Sequence, residues 1–334
     1  MDHSTQRVCI GQRVPPCMPL PGGDLHTHAG RGADSTVTSG DGHAFAVHRT
    51  GSGAPILLLH DMAATQRAWD PIREALSWSN AVCTWDARGH GAARGTPESA
   101  VPTLGLLAAD LDAALTVCAP ESAVLVGHGM GALTILDYLR NYDGGRVSGV
   151  VLVDQSPRML TVPEWRLGLF GGFREADALE FEARIRADFA EAWLSLHAYG
   201  ADASPRARHG ELPRRPLRDL ATGSMLALWR SMISRDYRVD LATLPVPLLA
   251  VLGGGSNLYD AALLGRWFEA SVPHAAVVRY PKADHAPHVA APARFARDVA
   301  AFASRCEPVA RHSAARAATR AGGVPFFPAA QAVA

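Results

Sequence analysis

Through the middle of the chain, short apolar runs alternate with stretches whose apolar residues recur at helical spacing. Residues 44–48 (AFAVH), small and large side chains in alternation, read as a short strand ahead of the turn Gly51-Ser52-Gly53, and residues 55–60 (PILLLH) are nearly all apolar. A continuous run of that kind fits a strand covered on both faces. Residues 66–77 place Trp69, Ile72 and Leu76 at helical spacing. A strand is expected at 81–85, and Leu104, Leu107, Ala108, Leu111 and Leu115 make residues 104–118 an amphipathic helix. Segments 122–126 (SAVLV), 147–153 (VSGVVLV), 245–252 (PVPLLAVL) and 275–280 (AAVVRY) read as further strands, with helices at 130–141 and 292–304. Strand and helix in alternation imply an α/β fold with a mostly parallel central sheet and helices on both faces. Ligands of such sheets bind at the carboxyl ends of the strands.

Residues 157–240 break the alternation. They are helix-forming, carry Trp165, Phe170, Phe173, Trp193 and Trp229, and include a turn-rich patch at 200–216. One reading is a helical lid that excludes water and shapes a pocket; the other is an extension of the core packing. The chain then divides into a core (41–156 and 241–305), the insertion (157–240) and two ends without periodicity. Those ends, a leader over 1–40 and a tail over 306–334, are expected to be disordered.

Composition narrows the classes. At 334 residues, 48% of them hydrophobic, the chain can bury one large core with an insertion. Its 32 Lys plus Arg balance 32 Asp plus Glu, so nothing marks it for nucleic acid or an anionic membrane. No apolar run approaches the roughly 18 to 20 residues of a membrane helix, and the leader lacks a secretory pattern. Five cysteines, at 9, 17, 83, 118 and 306, have no metal-ligand spacing. They read as reduced thiols in a cytoplasmic protein, with Cys83 and Cys118 as core filler. A small-molecule substrate is expected, with no cofactor and no metal; the oligomeric state is not set by the sequence.

Between the strand at 122–126 and the helix at 130–141 stands Gly127-His128-Gly129-Met130-Gly131. Over residues 43–304 the chain resembles the α/β-hydrolase family, whose elbow is Gly-x-Ser-x-Gly on a sharp strand-to-helix turn. The resemblance therefore implies an α/β-hydrolase fold with a degenerate elbow: Gly129 occupies the nucleophile position and has no hydroxyl to form an acyl-enzyme. Ala283-Asp284-His285-Ala286-Pro287-His288 resembles the family's histidine loop, implying His285 as the base, with His288 structural or pocket-lining. The family's usual acid loop falls on residues 252–257, where Ser256 stands in the acid's place. Two acids remain open. Asp154, directly after the strand at 147–153, is favoured over Asp260, and either would orient His285.

The resemblance also implies an oxyanion hole from the backbone N–H groups of Met62 and Met130. The loop there reads His60-Asp61-Met62, where the family has His-Gly. Asp61 either bonds to neighbouring backbone or acts as an added acid, base or substrate contact. His60, Asp61, His128, Trp165 and His288 are the pocket candidates. Trp85-Asp86-Ala87-Arg88-Gly89-His90-Gly91 matches a turn read as structural.

Three functions fit. In the first, a His285/Asp154 dyad and the hole run non-covalent general-base chemistry of hydrolase, lyase, cyclase or isomerase type. Its substrate would be a small to medium apolar ester, lactone or ketone. The second is a serine esterase or thioesterase whose nucleophile was mutated to glycine. The third is a pseudoenzyme or ligand-binding protein.

Overall fold

The computed structural model describes residues 33–94, 101–142, 144–198 and 214–306. One eight-stranded sheet organises them. Its strands are β1 (Ala33–Thr38), β2 (Ala44–Thr50), β3 (Ala54–Leu59), β4 (Asn80–Trp85), β5 (Ala123–His128), β6 (Val147–Val153), β7 (Leu248–Gly253) and β8 (Ala275–Tyr280). Their spatial order is β1-β2-β4-β3-β5-β6-β7-β8. β1 and β2 are the antiparallel edge, and every pairing from β4 through β8 is parallel. The α/β class with a mostly parallel sheet is thus observed as the pattern predicts.

The helices are α1 (Asp70–Leu76), α2 (Leu104–Cys118), α3 (Met130–Asn141), α4 (Glu175–Ala187), α5 (Phe189–Ala198), α6 (Arg214–Arg218), α7 (Thr222–Ile233), α8 (Arg238–Ala242), α9 (Ala261–Ser271), α10 (Pro287–Ala290) and α11 (Pro292–Ala303). Strand side chains point alternately to opposite faces, which divides the core in two. Ile56, Leu58, Val124, Val126, Val151 and Val153 cluster with Trp69, Ile72, Phe295 and Val299, from the α1 and α11 side. Their neighbours Leu57, Leu59, Leu125, Val150 and Leu152 cluster with Leu107, Leu111, Leu133 and Phe268, from α2, α3 and α9. Both faces of the central strands are therefore dry, which is why they read as unbroken apolar runs.

Several boundaries differ from the sequence pattern, each for a local reason. The helix expected over 66–77 is a 3₁₀ turn (Gln66–Trp69) followed by α1, with Pro71 at its start. A proline ring fixes φ and donates no hydrogen bond, so it suits the first turn of a new helix. β7 begins at Leu248 rather than 245, because Pro245 and Pro247 supply no ladder donor. The last residues of the expected leader are β1, paired with β2 and joined to it by Asp34 and His48 at 2.6 Å. The rest of the leader, and the tail beyond Cys306, lie outside the described residues, as does 200–213 of the turn-rich patch.

Helices α4 to α8 all fall between β6 and β7. They are fastened to α3: the Tyr237 hydroxyl donates to Asp137 Oδ1 at 2.7 Å and Arg140 Nε donates to Asp240 Oδ1 at 3.1 Å. Phe173 and Phe181 pack around the buried Trp229, with ring centroids 6.0 and 4.6 Å away. The turn at 85–91 is structural. Arg88 is buried, its Nε donating to Asp110 at 2.7 Å and its Nη2 to Asp41 at 2.7 Å. No described helix is long and apolar enough to cross a membrane. Truncating Trp229 to alanine should cost about 3–5 kcal/mol; urea unfolding would measure it, and a loss well below 1 kcal/mol would show that this cluster does not hold the insertion together.

Candidate active site

The site is assembled at the carboxyl ends of β3, β5, β6 and β7 and on the loop after β8. After β3 the chain turns through His60, Asp61 and Met62. Two histidines clamp this turn from behind. His60 Nδ1 donates to the Asp61 carbonyl at 2.8 Å, and its Nε2 accepts from the Ala87 N–H at 2.9 Å. His90 does the same, Nδ1 to the Arg88 carbonyl and Nε2 from the Ala63 N–H. Each ring thus holds one proton. Burial agrees, lowering both pKa values, that of His90 to about 3. His60, a pocket candidate, therefore works as a backbone clamp behind the loop.

That clamp fixes Asp61. Its Oδ1 accepts from the N–H groups of Met62 and Met130, both at 2.7 Å. Met130 opens α3, where the first N–H groups lack helical partners and the dipole favours an anion. The two donors expected to form an oxyanion hole do converge on one point. The Asp61 carboxylate occupies it. Its other oxygen, Oδ2, lies 3.2 Å from His285 Nε2.

Gly129 explains how the carboxylate fits. The residue has φ +50°, and a Cβ built on it would lie 2.0 Å from Asp61 Oδ1 and 2.3 Å from Cγ. Asp61 is held by three polar contacts, so it cannot easily give way. Position 129 has no room for a side chain while Asp61 keeps its place. Gly131 is needed for a different reason: its Cβ would sit 2.3 Å from the Leu59 carbonyl, where α3 crosses β3.

On its other side His285 meets Asp154, with Nδ1 2.9 Å from Oδ2. Asp154 is fully buried, and its carboxylate also accepts from the Gly253 N–H at 2.9 Å and the Ser256 hydroxyl at 2.7 Å. Its φ of +45° is uncommon for a residue with a side chain. Asp260 is spent elsewhere: it caps α9, accepting from the N–H groups of Ala262 and Leu263. Ser256, in the usual acid position, is a donor to Asp154.

Both His285 nitrogens thus face carboxylate oxygens, which accept and do not donate when ionised. The ring carries both protons. Burial works against that charge, but the hydrogen bonds to Asp154 and Asp61 outweigh it and raise the pKa to about 10. Burial would also raise Asp61, yet the hydrogen bond and charge of His285 and the Met130 N–H bond hold its carboxyl well below the usual carboxylate range. The centre is thus a His285 imidazolium held between the Asp154 and Asp61 carboxylates.

Three more histidines surround it, each kept neutral by burial. His128 donates Nε2–H to the His285 carbonyl at 2.8 Å and lies 4.5 Å from its ring, with a pKa lowered to about 4. His288 packs on Trp69 at 4.4 Å and on His128 at 4.7 Å, beneath the site rather than in it. His197, on α5, was not singled out from sequence. Its ring is 5.7 Å from that of His285, and its Nε2 is buried with no partner among the described residues. Such an orphan costs roughly 1–3 kcal/mol. Trp193 four residues earlier packs on it at 4.8 Å, so the Trp-x-x-x-His spacing was the one available signal. Tyr259, also unanticipated, sits 6.5 Å from His285 and accepts from Gln155. Trp165 lies apart, donating to the Arg158 carbonyl and meeting Trp267 edge-on at 5.1 Å.

Asp61, His128 and His285 each offer a ligand atom, all within 4.8 Å of one another. Ligands of a tetrahedral ion with 2.0–2.1 Å bonds stand ~3.3 Å apart; Asp61 and His285 already stand at 3.2 Å, so a metal there would have to displace the proton between them.

The raised His285 pKa has a consequence for stability. A group whose folded pKa exceeds its unfolded value stabilises fully below the unfolded value and loses that contribution as pH climbs to the folded one. Stability should fall between pH 6.5 and about 10, and Asp61→Asn should flatten that limb in denaturant titrations. Parallel slopes for the two proteins would contradict the ion pair.

Comparison with known proteins places the chain in context. Residues 56–298 match the Alpha/beta hydrolase family. Pimeloyl-[acyl-carrier protein] methyl ester esterase of Aliivibrio salmonicida is 28% identical over 262 residues, 75% of this chain and 93% of that protein. 2-(Acetamidomethylene)succinate hydrolase of Mesorhizobium japonicum is 27% identical over 249 residues, 72% of this chain and 84% of that one. Among solved structures, an esterase from Exiguobacterium antarcticum superposes with a TM-score of 0.71 at 15% identity, covering 81% of this chain and 100% of that one, a likeness of fold.

Proposed function

The chain belongs to the α/β-hydrolase family, and on that premise we propose that it is a hydrolase of small apolar molecules in which Asp61 takes the nucleophile's part. The observation that carries this reading is the placement of one carboxylate, Oδ1 on the two hole donors and Oδ2 on His285. Carboxylates act as nucleophiles in covalent catalysis when suitably placed. Oδ2 attacks an electrophilic carbon of the substrate, and the leaving group departs with the Nε2 proton of His285, which leaves the ring neutral. The result is an ester of Asp61 whose carbonyl oxygen, Oδ1, is already in the hole. Water, giving a proton to neutral His285, then adds to Cγ. The charge that develops on Oδ1 is met by the Met62 and Met130 N–H groups. Collapse expels the product alcohol and restores the carboxylate with one oxygen from water.

This changes the chemistry expected of the dyad. With Oδ1 in the hole, a substrate carbonyl has no access to those donors, and with both nitrogens protonated His285 is no base at rest. The geometry favours a covalent route through Asp61 over a non-covalent one on a substrate ester. It also weighs against a simple serine-to-glycine loss, because a serine Cβ at 129 would overlap Asp61. Helices α4 to α8 serve as the lid in this reading, with His197 facing the site and Asn257 Nδ2 donating to its carbonyl at 2.9 Å.

Asp61→Asn should lower turnover by about 10⁴- to 10⁶-fold, the range seen when a nucleophilic centre is dismantled. Gly129→Ser alone should gain no hydrolysis of p-nitrophenyl butyrate, whereas Gly129→Ser combined with Asp61→Gly should gain it, since the second change vacates the hole. Steady-state kinetics on the three proteins decides: rapid ester hydrolysis by Gly129→Ser alone, or full activity in Asp61→Asn, defeats the proposal.

A further inference from the structure

We propose that Asp61, His128, His197 and His285 form a four-ligand site for a divalent cation of the zinc class, which takes the place of the proton between Asp61 and His285. The proposal stands on the placement of the side chains and does not need Asp61 to be a nucleophile. Two ligand atoms are already at metal spacing. Asp61 Oδ2 and His285 Nε2 are 3.2 Å apart, against the ~3.3 Å between neighbouring ligands of a tetrahedral ion. A His128 ring nitrogen lies within 4.8 Å of both, so an inward shift of no more than about 1.5 Å completes a third corner.

The fourth corner belongs to His197. Its Nε2 is buried with no partner among the described residues, and its ring centre is 5.7 Å from that of His285. The rings of His128 and His285 are 4.5 Å apart by the same measure. Two imidazoles on one tetrahedral ion hold their centres ~5 Å apart, between those two separations. An ion would give the His197 nitrogen the partner it lacks.

The atoms behind the ligands argue for an ion as strongly as the ligands do. A histidine that binds metal through one nitrogen usually donates its other N–H to a carboxylate or a backbone carbonyl, which fixes the tautomer. His285 Nδ1 is bonded to Asp154 Oδ2 at 2.9 Å, and Asp154 is held in turn by the Gly253 N–H and the Ser256 hydroxyl. His128 Nε2 is bonded to the His285 carbonyl at 2.8 Å, which leaves Nδ1 for the ion. Ligating carboxylates are themselves hydrogen-bonded, as Asp61 Oδ1 is by the N–H groups of Met62 and Met130. Imidazole with carboxylate suits zinc and its first-row neighbours rather than calcium or magnesium. Metal binds neutral imidazole, so the ion sends the Nε2 proton of His285 to solvent while Asp154 keeps the one on Nδ1. Four protein ligands leave no corner for water. The ion therefore masks Asp61 Oδ2 and closes the centre instead of activating a water. Its ligands come from four separate segments, so no spacing motif announces them.

The test uses the full-length protein, stripped with a chelator and then titrated with zinc by calorimetry and with cobalt by visible spectroscopy. Cobalt should give the intense bands of a tetrahedral complex, and absorption at the zinc edge should show four nitrogen or oxygen neighbours at roughly 2.0–2.2 Å. Asp154→Asn should weaken zinc binding by about 10- to 100-fold, the usual cost of losing an outer partner, and His285→Gln by more than that. His197→Leu should lower the intensity of the cobalt bands, because water takes the vacated corner. His26 and His28, outside the described residues, are another place where zinc could settle; replacing both with alanine should leave the tetrahedral spectrum unchanged. Weak, six-coordinate cobalt bands in the unmodified protein overturn the proposal, as does a zinc affinity that His285→Gln leaves intact. The spectrum of the unmodified protein decides even where a variant fails to fold. Chelator kept in the kinetic assays separates this result from the test of Asp61 as nucleophile.

Discussion

A single carboxylate oxygen held by two backbone N–H groups governs this site. Asp61 Oδ1 lies 2.7 Å from both Met62 N and Met130 N, and everything around it follows from keeping an anion there. The clamp of His60 and His90 exists because the loop must hold its turn to that fraction of an ångström. The bare Gly129 exists because the carboxylate lies where its Cβ would be. Helix α3 contributes its unpaired first N–H and the positive end of its dipole, which is a ready anion site. Glycine at 129 and aspartate at 61 are thus two halves of one arrangement, and neither is intelligible alone.

Electrostatics then sets what the neighbours can be. An ion pair at 3.2 Å is worth about 5 kcal/mol at an effective dielectric near 20, comparable with the several kcal/mol each ion loses on leaving water. The pair holds because its remaining lone pairs and protons are all met: two N–H groups on Oδ1, Asp154 on the far nitrogen, and Gly253 and Ser256 on Asp154. The histidines outside this chain of contacts answer the opposite way. His128 and His197, crowded by the same imidazolium and equally buried, are driven down to about 4 and stay neutral. One charged ring among several neutral ones is a division set by which of them touches a carboxylate.

Much of this was legible in the sequence, and what was not has a common cause. Strands such as β3 and β6 were plain because both faces are buried, leaving no polar interruption. The elbow, the histidine loop and the departure at Asp61 are local features. β1 escaped because Asp34, Ser35 and Thr36 make a polar edge strand that looks like any loop. α9 escaped because its signal, the Asp260 cap, was weighed as a possible acid. The destination of the Asp61 side chain could not be read, since it depends on residues 61, 129, 130 and 285 meeting in three dimensions. His197 shows the same limit: its spacing from Trp193 marks a shared helix face but not what that face looks upon.

Ser256 carries the argument one step further. An aspartate at that position would stand beside Asp154, and a cluster that already sets two carboxylates against one imidazolium would hold three. Like charges at such range in a buried site raise one another's pKa, and one of the three would keep a proton. A neutral hydroxyl avoids this: it donates to Asp154 Oδ2 without adding charge and leaves the carboxylate's bond to His285 in place. The departures at 61, 129 and 256 therefore belong together. Moving a carboxylate into the hole requires an empty position at 129, and admitting its charge requires that the acid facing His285 from Asp154 have no second acid beside it.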